Sequence, residues 1–325
     1  MQAAVIDHGT IRLEQRPRPT AGPHQALIRV RLAGICNTDL ELLRGYMDFS
    51  GIPGHEFVGH VVEAPSDPEL VGARVTGEIN IGCGACPTCL TDGPRHCPKR
   101  HTLGIDGWDG AFAEYLVLPA ANLHVIPDGV SDMEAVFVEP LAAALEPSQQ
   151  LHLTARQSVL VLGDGKLGIL TACALHYLVP GLILAGHHAH KLSIAAAQGV
   201  TIRLAADPLE LLRECGRFDV VIEATGRSSG LSCALDLVRP EGVVVAKTTV
   251  ADKIAIDMAK VVVNEIHLVG SRCGDFKLAM AYLRDGLVDV MPLVEIIRPF
   301  GECADAMRVA SQPDSMKVLL QLPRN

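Results

Sequence analysis

The chain has 325 residues, a formal net charge of −9 and ten cysteines, and 49% of its residues are hydrophobic but only 4% aromatic. This length predicts two domains or one large one. The acidic balance argues against nucleic acid as the main partner, because phosphate binding needs a basic surface. Ten cysteines in so long a chain indicate metal ligands or buried thiols more than a disulfide framework.

The sequence predicts a protein of the reducing cytoplasm. Residues Met1–Glu14 contain no basic region followed by an apolar run, so a secretory signal is not expected. The stretch Leu167–His190 has no Asp, Glu, Lys or Arg and is long enough to span a bilayer. Its Pro180-Gly181 break and terminal histidines favour a helix followed by a buried strand instead.

Three zones of the chain differ in their apolar patterns. Residues 1 to about 135 contain short apolar strands between Gly and Pro, which predicts a β-rich, barrel-like domain. From about 140 to 270, strands alternate with helical patterns, as in the parallel sheet of an α/β fold. The strands are predicted at Ala26–Leu32, Phe57–Glu63, Arg74–Ile79, Ala113–Leu118, Ser158–Leu162, Leu182–Ala185, Val220–Glu223, Val243–Ala246 and His267–Val269. The remaining residues mix helices, near Phe276–Asp285 and Cys303–Ala310, with a closing strand at Lys317–Leu322.

A glycine-rich motif follows the strand Ser158–Leu162. Residues 163–168, Gly-Asp-Gly-Lys-Leu-Gly, form G-x-G-x-x-G between a strand and a helix, as in a dinucleotide site. Gly163 allows the tight turn, Gly165 lets the backbone approach a pyrophosphate, and Gly168 lets the helix pack on the strand. The backbone N–H groups of Lys166 and Leu167 at the helix start are expected to hold the phosphates. The alternative is a glycine turn in an ordinary α/β unit.

The next strand has no acidic residue at its end. An NAD-binding domain usually places Asp or Glu there, about 20 residues after the motif, to bind the ribose hydroxyls. Here Leu182–Ala185 continues into Gly-His-His-Ala-His-Lys at residues 186–191. Gly186 removes the like-charge repulsion of a 2′-phosphate, and His187, His188 or Lys191 could donate hydrogen bonds to it. The sequence therefore favours NADP over NAD; the alternative is a solvated histidine loop and NAD.

Four cysteines lie within fifteen residues, as Cys83-x2-Cys86-x2-Cys89-x7-Cys97. Four thiolates in one loop can close a tetrahedral zinc site that has no open position for substrate. Disulfides would need an oxidising compartment. The spacing predicts a structural zinc that stabilises a loop without a core of its own.

A dispersed set of possible metal ligands completes a resemblance to a known family. Together the motifs resemble the zinc-containing medium-chain dehydrogenases, the alcohol/polyol dehydrogenase superfamily, over nearly the whole chain. They are Cys36, Gly54-His55-Glu56, Gly72–Val75, the four-cysteine lobe, Gly110–Tyr115, Glu139, the glycine motif and Asp219–Gly226. The resemblance implies a GroES-like β-barrel domain, residues 1–139 and 271–325, that carries both zinc sites. A Rossmann domain, residues 140–270, is inserted into it.

The resemblance also implies the ligands of a catalytic zinc. Cys36 and His55 correspond to two of them, and Glu139 corresponds to a third that is Glu in polyol-type members. Glu56 is a neighbouring carboxylate that can bind zinc directly or through water. Asp39 would orient His55 from behind. A fourth position would remain for water or substrate.

The implied reaction is hydride transfer between NAD(P) and a secondary alcohol or polyol, or its ketone or aldehyde. Zinc would lower the pKa of the alcohol, and Thr38 would take the hydroxyl proton. Glu41 stands where many alcohol dehydrogenases have a relay histidine; it either receives the proton or is a solvated helix residue. Arg272 follows the last Rossmann strand and is expected to contact a cofactor phosphate or to form a domain-interface ion pair.

The predicted partners are a small-molecule alcohol or carbonyl substrate and further copies of the chain, with neither nucleic acid nor membrane. Relatives form dimers by joining their last Rossmann strands, here near His267–Val269, so a homodimer or homotetramer is expected. A rival hypothesis is a non-catalytic dinucleotide-binding protein on a dehydrogenase scaffold, or a zinc-free quinone-reductase-like member. Both zinc constellations argue against these alternatives. The other cysteines have no motif and are interpreted as ordinary thiols: Cys173, Cys215, Cys233, Cys273 and Cys303.

Overall fold

A computed structural model describes residues 1–205, 207–250 and 253–323 of the chain. The fold divides into two compact units, Met1–Glu139 with Val294–Asn325, and Pro140–Leu293. The second unit therefore extends past residue 270, where the sequence placed its end. Residues 271–293 belong to it because the side-chain amide of Gln198 exchanges two 2.9 Å hydrogen bonds with the backbone of Asp289.

The first unit is built on strands that lie on both sides of the inserted second unit in the sequence. Strands are numbered along the whole chain. Those of the first unit are β1 (Gln2–Asp7), β2 (Thr10–Gln15), β3 (Gln25–Gly34), β4 (Glu56–Glu63), β5 (Arg74–Gly77), β6 (Asn80–Ile81), β7 (His101–Leu103), β8 (Gly107–Trp108), β9 (Tyr115–Pro119), β10 (Leu123–Val125), β17 (Val294–Pro299) and β18 (Lys317–Gln321). Seven of them form the main sheet, in the order β10-β5-β4-β3-β18-β17, with β9 paired to β3.

The centre of this sheet brings three distant segments together. Gly34, the last residue of β3, pairs with Glu56 on β4 and with Leu319 on β18, in both cases antiparallel. Most residues of β3 and β4 are buried, including consecutive apolar side chains such as Leu27 and Ile28 on β3 and Phe57 and Val58 on β4. The pairing therefore places the start of β4 and the start of β18 beside the end of β3.

The second unit contains a six-stranded parallel sheet. Its strands are β11 (Val159–Leu162), β12 (Ile183–Gly186), β13 (Thr201–Leu204), β14 (Phe218–Glu223), β15 (Val238–Ala246) and β16 (His267–Gly270). The order β13-β12-β11-β14-β15-β16 reverses direction between β11 and β14. All four residues of β11 are buried, since helices cover both faces of such a sheet. Ligands of doubly wound sheets bind where the strand order reverses.

In the part of the chain that the structure describes, eleven α-helices accompany these strands. They are α1 (Asn37–Leu43), α2 (Pro87–Thr91), α3 (Asp132–Ala135), α4 (Val138–Gln150), α5 (Lys166–His176), α6 (Ala189–Ala196), α7 (Pro208–Cys215), α8 (Gly230–Leu237), α9 (Met258–Val263), α10 (Phe276–Arg284) and α11 (Cys303–Ala310). The uncharged stretch Leu167–His190 divides between α5, β12 and the start of α6, which confirms the helix-then-strand interpretation. Among the residues that the structure describes, no helix has both the length and the apolar character to cross a membrane.

Candidate active site and cofactor loop

Asp39 fixes the relative position of two predicted zinc ligands. It lies in the first turn of α1 and is completely buried. Its Oδ2 accepts a 2.8 Å hydrogen bond from the backbone N–H of Cys36, and its Oδ1 accepts one of 3.1 Å from Gly54. One carboxylate thus joins the start of α1 to the loop that carries His55.

The side chains of Cys36, His55 and Glu56 form a compact group of potential metal ligands. One ligand atom from each lies within 4.8 Å of the others, and both His55 and Glu56 are buried. His55 Nδ1 and Glu56 Oε1 are buried without a hydrogen-bond partner, and Nδ1 lies 3.5 Å from Asp39 Oδ1. Buried polar atoms normally have partners. A sulfur, an imidazole nitrogen and a carboxylate oxygen are donors that zinc binds, so this group fits the expected metal.

The electrostatics of the group favour a positive charge. Burial lowers the pKa of His55, but the carboxylate of Asp39 and the Cys36 side chain outweigh this effect and hold the pKa well above its usual value. The negative neighbours of His55 therefore favour a positive charge at this position.

Lys317 is a buried cation in this group that the sequence analysis missed. Its Nζ donates a 2.5 Å hydrogen bond to Glu56 Oε2 and one of 3.4 Å to the Ile35 carbonyl. Burial lowers the pKa of Lys317, but the combined effect of Glu56, Cys36 and Glu139, in decreasing order, is larger and raises the pKa above its usual value. The ammonium therefore stays charged. A lone lysine at the start of the apolar strand β18 was the available signal.

The other predicted residues of this site have different surroundings. Thr38 Oγ1 lies 3.7 Å from Cys36 Sγ, in the first turn of α1. Glu139 is half-buried at the start of α4 and is not in the compact ligand group. Glu41 forms a 2.6 Å ion pair with the exposed Arg44, which favours the interpretation of Glu41 as a solvated helix residue.

The four cysteines of the lobe come together as their spacing predicts. Their sulfur atoms all lie within 4.8 Å of one another, and Cys97 Sγ is 3.6 Å from Cys83 Sγ and 3.8 Å from Cys86 Sγ. Zn–S bonds of about 2.3 Å in a tetrahedron put the sulfurs about 3.8 Å apart, whereas a disulfide bond measures about 2.05 Å. The cluster therefore fits a structural zinc ion.

Backbone N–H groups prepare this cluster for a metal. The N–H groups of Ala85 and Cys86 lower the pKa of the Cys83 thiol to about 6, and the N–H of Cys83 lowers that of Cys97. Burial, with the neighbouring Cys86, raises the pKa of Cys89 to about 12. Four adjacent thiols cannot all ionise unless a cation lies among them.

The glycine motif has the shape that a pyrophosphate needs. Gly163 has φ +119°, and its α-carbon faces the Ala224 carbonyl too closely for a side chain. A β-carbon on Gly168 would collide with the Gly163 carbonyl, so the start of α5 packs directly on the turn. Gly165 faces open space and precedes α5 without a side-chain cap. The helix start is therefore open to a phosphate group.

Asp164 lies at the end of β12, where the sequence indicated that no carboxylate was present. Its Oδ2 accepts 2.7 Å hydrogen bonds from the backbone N–H groups of both His187 and His188. The ring Nδ1 of His188 lies 3.0 Å from the same oxygen. The end of β12 therefore does have a neighbouring negative charge, contrary to the expectation from the sequence, because Asp164 of the glycine loop folds against it.

The remaining predicted cofactor residues differ in exposure. His187 is exposed, whereas the side chain of Lys191 is only 4% exposed and so is not presented to solvent as a phosphate donor. Arg272 is exposed just after β16. Of the five cysteines without a motif, Cys173, Cys273 and Cys303 are buried, and burial raises the pKa of Cys173 and of Cys303 to about 12. A thiol with so high a pKa stays protonated at neutral pH.

Comparisons with known proteins identify the family. The profile of the alcohol dehydrogenase GroES-like domain matches residues 22–128, and that of the zinc-binding dehydrogenase matches residues 168–285. A sorbitol dehydrogenase from Halalkalibacterium halodurans is 30% identical, over 98% of this chain and 99% of that protein.

Two solved structures share the whole fold. An alcohol dehydrogenase from Escherichia coli, complexed with NADH, has a TM-score of 0.91 and 27% identity, with 99% of each chain covered. A putative zinc-binding dehydrogenase from Sinorhizobium meliloti, bound to NADP, has a TM-score of 0.88 and 28% identity, with 98% of each chain covered. The chain belongs to the zinc-containing medium-chain dehydrogenase/reductase superfamily and is an NAD(P)-dependent, zinc-type dehydrogenase.

Proposed function

We propose that this dehydrogenase oxidises polyols or other secondary alcohols, and reduces the corresponding ketones, at a zinc ion held by Cys36, His55 and Glu56. The observation that supports this most is the compact buried group of these three side chains, in which His55 Nδ1 and Glu56 Oε1 lack hydrogen-bond partners. Zinc, when bound, polarises the oxygen of the alcohol or carbonyl.

Thr38 is the residue that we propose moves the proton. Its hydroxyl is 3.7 Å from Cys36 Sγ, which puts an O–H group beside the ligand set on a rigid helix turn. A hydroxyl can accept a proton from the substrate O–H while it donates its own, and so it transfers charge without becoming ionised. Asp39 acts through the backbone of Cys36 and Gly54 and is a positioning residue.

The preference for polyols follows from the carboxylate in the ligand set. Ligand sets with a Glu are typical of polyol, sugar and hydroxy-amino-acid members in the family resemblance, and the 30% identical relative is a sorbitol dehydrogenase. A second candidate for the carboxylate ligand is Glu139, which is close enough to raise the pKa of Lys317. Glu56 is favoured because its Oε1 is buried and has no hydrogen bond.

The test is a substrate panel with the zinc-loaded protein. Sorbitol, 2,3-butanediol, L-threonine and ethanol are each supplied with NAD⁺ and with NADP⁺, and the reduced cofactor is followed by its absorbance. We expect a polyol or diol to give the highest kcat/KM. If none of the alcohols reduces either cofactor in protein with both zinc sites filled, the proposal is wrong.

A matched pair of variants tests the role of Thr38. Thr38→Val keeps the shape but removes the hydroxyl, and we expect kcat to fall by about 10²–10⁴-fold with unchanged zinc content. Thr201→Val makes the same change at an exposed position of β13 and should leave kcat unaltered. Equal kcat in the two variants would exclude Thr38 from proton transfer.

A further inference from the structure

The end of β12 is the place where a Rossmann domain distinguishes NAD from NADP. In this chain the last residue of the strand is Gly186, which the sequence analysis interpreted as an opening for a 2′-phosphate. The structure shows that this space is filled. A β-carbon on Gly186 would collide with the carboxyl group of Asp164, which is itself only 7% exposed.

We propose that Asp164 supplies, from the glycine loop, the carboxylate that the end of β12 lacks, and that it thereby selects NAD over NADP. This inference rests on the proposed dehydrogenase function and concerns its cofactor. Asp164 and Gly186 act as a pair: the acid comes from residue 164 because residue 186 has no side chain.

Asp164 occupies the hydrogen-bond donors at the end of β12. A phosphate at the end of β12 would bind the backbone N–H groups that point out of the turn. Those of His187 and His188 both donate to Asp164 Oδ2 at 2.7 Å. The ring of His188 also faces the carboxylate, 3.0 Å from Oδ2 and 3.2 Å from Oδ1. These two backbone N–H groups and the His188 ring are therefore already engaged by an anion that belongs to the protein.

The negative charge of Asp164 opposes a 2′-phosphate. Burial raises the pKa of Asp164, but the N–H and ring of His188 and the N–H of His187 outweigh this and lower it below its usual value. The carboxylate is therefore ionised at neutral pH. A 2′-phosphate placed beside this carboxylate would meet a like charge in a poorly solvated site, where repulsion is strong. This repulsion disfavours NADP and so provides specificity for NAD.

Asp164 can also accept a hydrogen bond from the ribose. A carboxylate offers about four lone-pair sites. The two backbone N–H groups both use Oδ2, while Oδ1 is contacted only by the His188 ring in the part of the chain that the structure describes. Oδ1 thus retains capacity to accept a hydrogen bond from a ribose hydroxyl, which NAD has and NADP lacks at the 2′ position.

Calorimetric binding tests the inference without any turnover. NAD⁺, NADP⁺, ADP-ribose and 2′-phospho-ADP-ribose are titrated into the zinc-loaded protein. We expect NAD⁺ and ADP-ribose to bind about tenfold or more tightly than their 2′-phosphorylated counterparts. Asp164→Asn keeps an acceptor for the two N–H groups but removes the charge, so it should reduce this ratio about fivefold or more.

The control is Asp285→Asn, which removes the same charge from an exposed position of the same unit and should leave the ratio unchanged. Three results would overturn the inference. The first, which needs no variant, is equal or tighter binding of the 2′-phosphorylated ligands by the wild-type protein. The second is an unchanged affinity ratio in Asp164→Asn. The third is a change of this ratio in Asp285→Asn as large as that in Asp164→Asn. If the wild-type protein binds none of the four ligands, the dehydrogenase function itself fails, which distinguishes the two failures.

Discussion

Lys317 donates a 2.5 Å hydrogen bond to Glu56, and both side chains are almost completely buried. The pair joins β18, the last strand of the C-terminal segment, to the candidate zinc ligands, across a separation of 261 residues in the chain. Gly34 lies beside it, where any side chain would collide with Glu56 Oε2. The ion pair engages that oxygen, whereas Glu56 Oε1 is buried without a hydrogen-bond partner.

Removal of Lys317 should destabilise the first unit strongly. In Lys317→Met the shape is kept but Glu56 loses its cation in a buried site, and we expect the free energy of unfolding to fall by about 3–5 kcal/mol. Urea denaturation measures this change. Arg284→Met is the matched control, because it breaks an exposed pair with Asp285 and should cost about 1 kcal/mol or less.

The double variant Lys317→Met with Glu56→Gln separates charge from packing. It removes both charges, so it should regain more than half of the loss that Lys317→Met causes. If the double variant is as unstable as the single one, the lysine stabilises the unit by packing and not by its charge.

The sequence predicted local features of the fold well and long-range ones poorly. The helix α11 has the bounds that the sequence predicts, Cys303–Ala310. The predicted bounds of β11 and β12 and the predicted start of α5 differ from those in the structure by at most one residue. Apolar periodicity and the positions of glycines determine these elements. The strands β1, β2, β6, β7, β8, β10, β13 and β17 were missed. Five of them, β6, β7, β8, β10 and β13, have only two to four residues, which carry too little pattern.

The same distinction applies to the site. The spacing of the four cysteines predicted their cluster, the family resemblance predicted the group of Cys36, His55 and Glu56, and the structure assembles both. The contacts of Lys317 and Asp164 could not be predicted, because each joins segments that are distant in sequence. No local pattern tells that residue 164 covers residue 186.

Asp39 should control the affinity of the catalytic zinc. Asp39→Ala leaves the buried N–H groups of Cys36 and Gly54 without acceptors, so the two ligand-bearing segments lose their common anchor. We expect zinc affinity at this site to fall about 10–100-fold, as competition with a chelator would measure. Asp275→Ala removes a comparable helix cap from α10 in the other unit and should not change zinc affinity.

Loss of one lobe cysteine should remove one metal ion and no more. In Cys97→Ser we expect metal analysis to give about one zinc per chain in place of about two, together with a lower Tm, because the lobe depends on its metal. Cys215→Ser changes a cysteine outside both ligand groups and should retain both ions. Wild-type protein with one zinc would contradict the assignment of two sites.

The stabilising effect of Asp219 should disappear in acid. A hydrogen bond from Arg239, aided by Ser158, lowers the pKa of Asp219, so folding favours its ionised form. This contribution is complete above the unfolded pKa of about 3.9 and is lost as the pH falls through the lower folded value. Asp219→Asn should therefore cost about 1 kcal/mol near neutral pH, and the difference from wild type should vanish in strong acid.

Denaturation at a series of pH values checks this prediction. Arg239→Gln removes the main cause of the lowered pKa, so in that background the Asp219→Asn difference should depend much less on pH. If the difference in the free energy of unfolding between the wild-type protein and Asp219→Asn grew as the pH fell, the predicted direction of the pH dependence would be wrong.

Glu41 should prove dispensable for the chemistry. Its carboxylate forms a 2.6 Å ion pair with the guanidinium of the exposed Arg44. We expect Glu41→Gln to change kcat by less than about threefold and to leave the pH profile of kcat in place, whereas loss of a proton-relay group costs about 10²–10⁴-fold. Arg44→Gln provides the control, since it frees Glu41 without removing it. A large loss in Glu41→Gln that Arg44→Gln does not share would place Glu41 in the relay after Thr38.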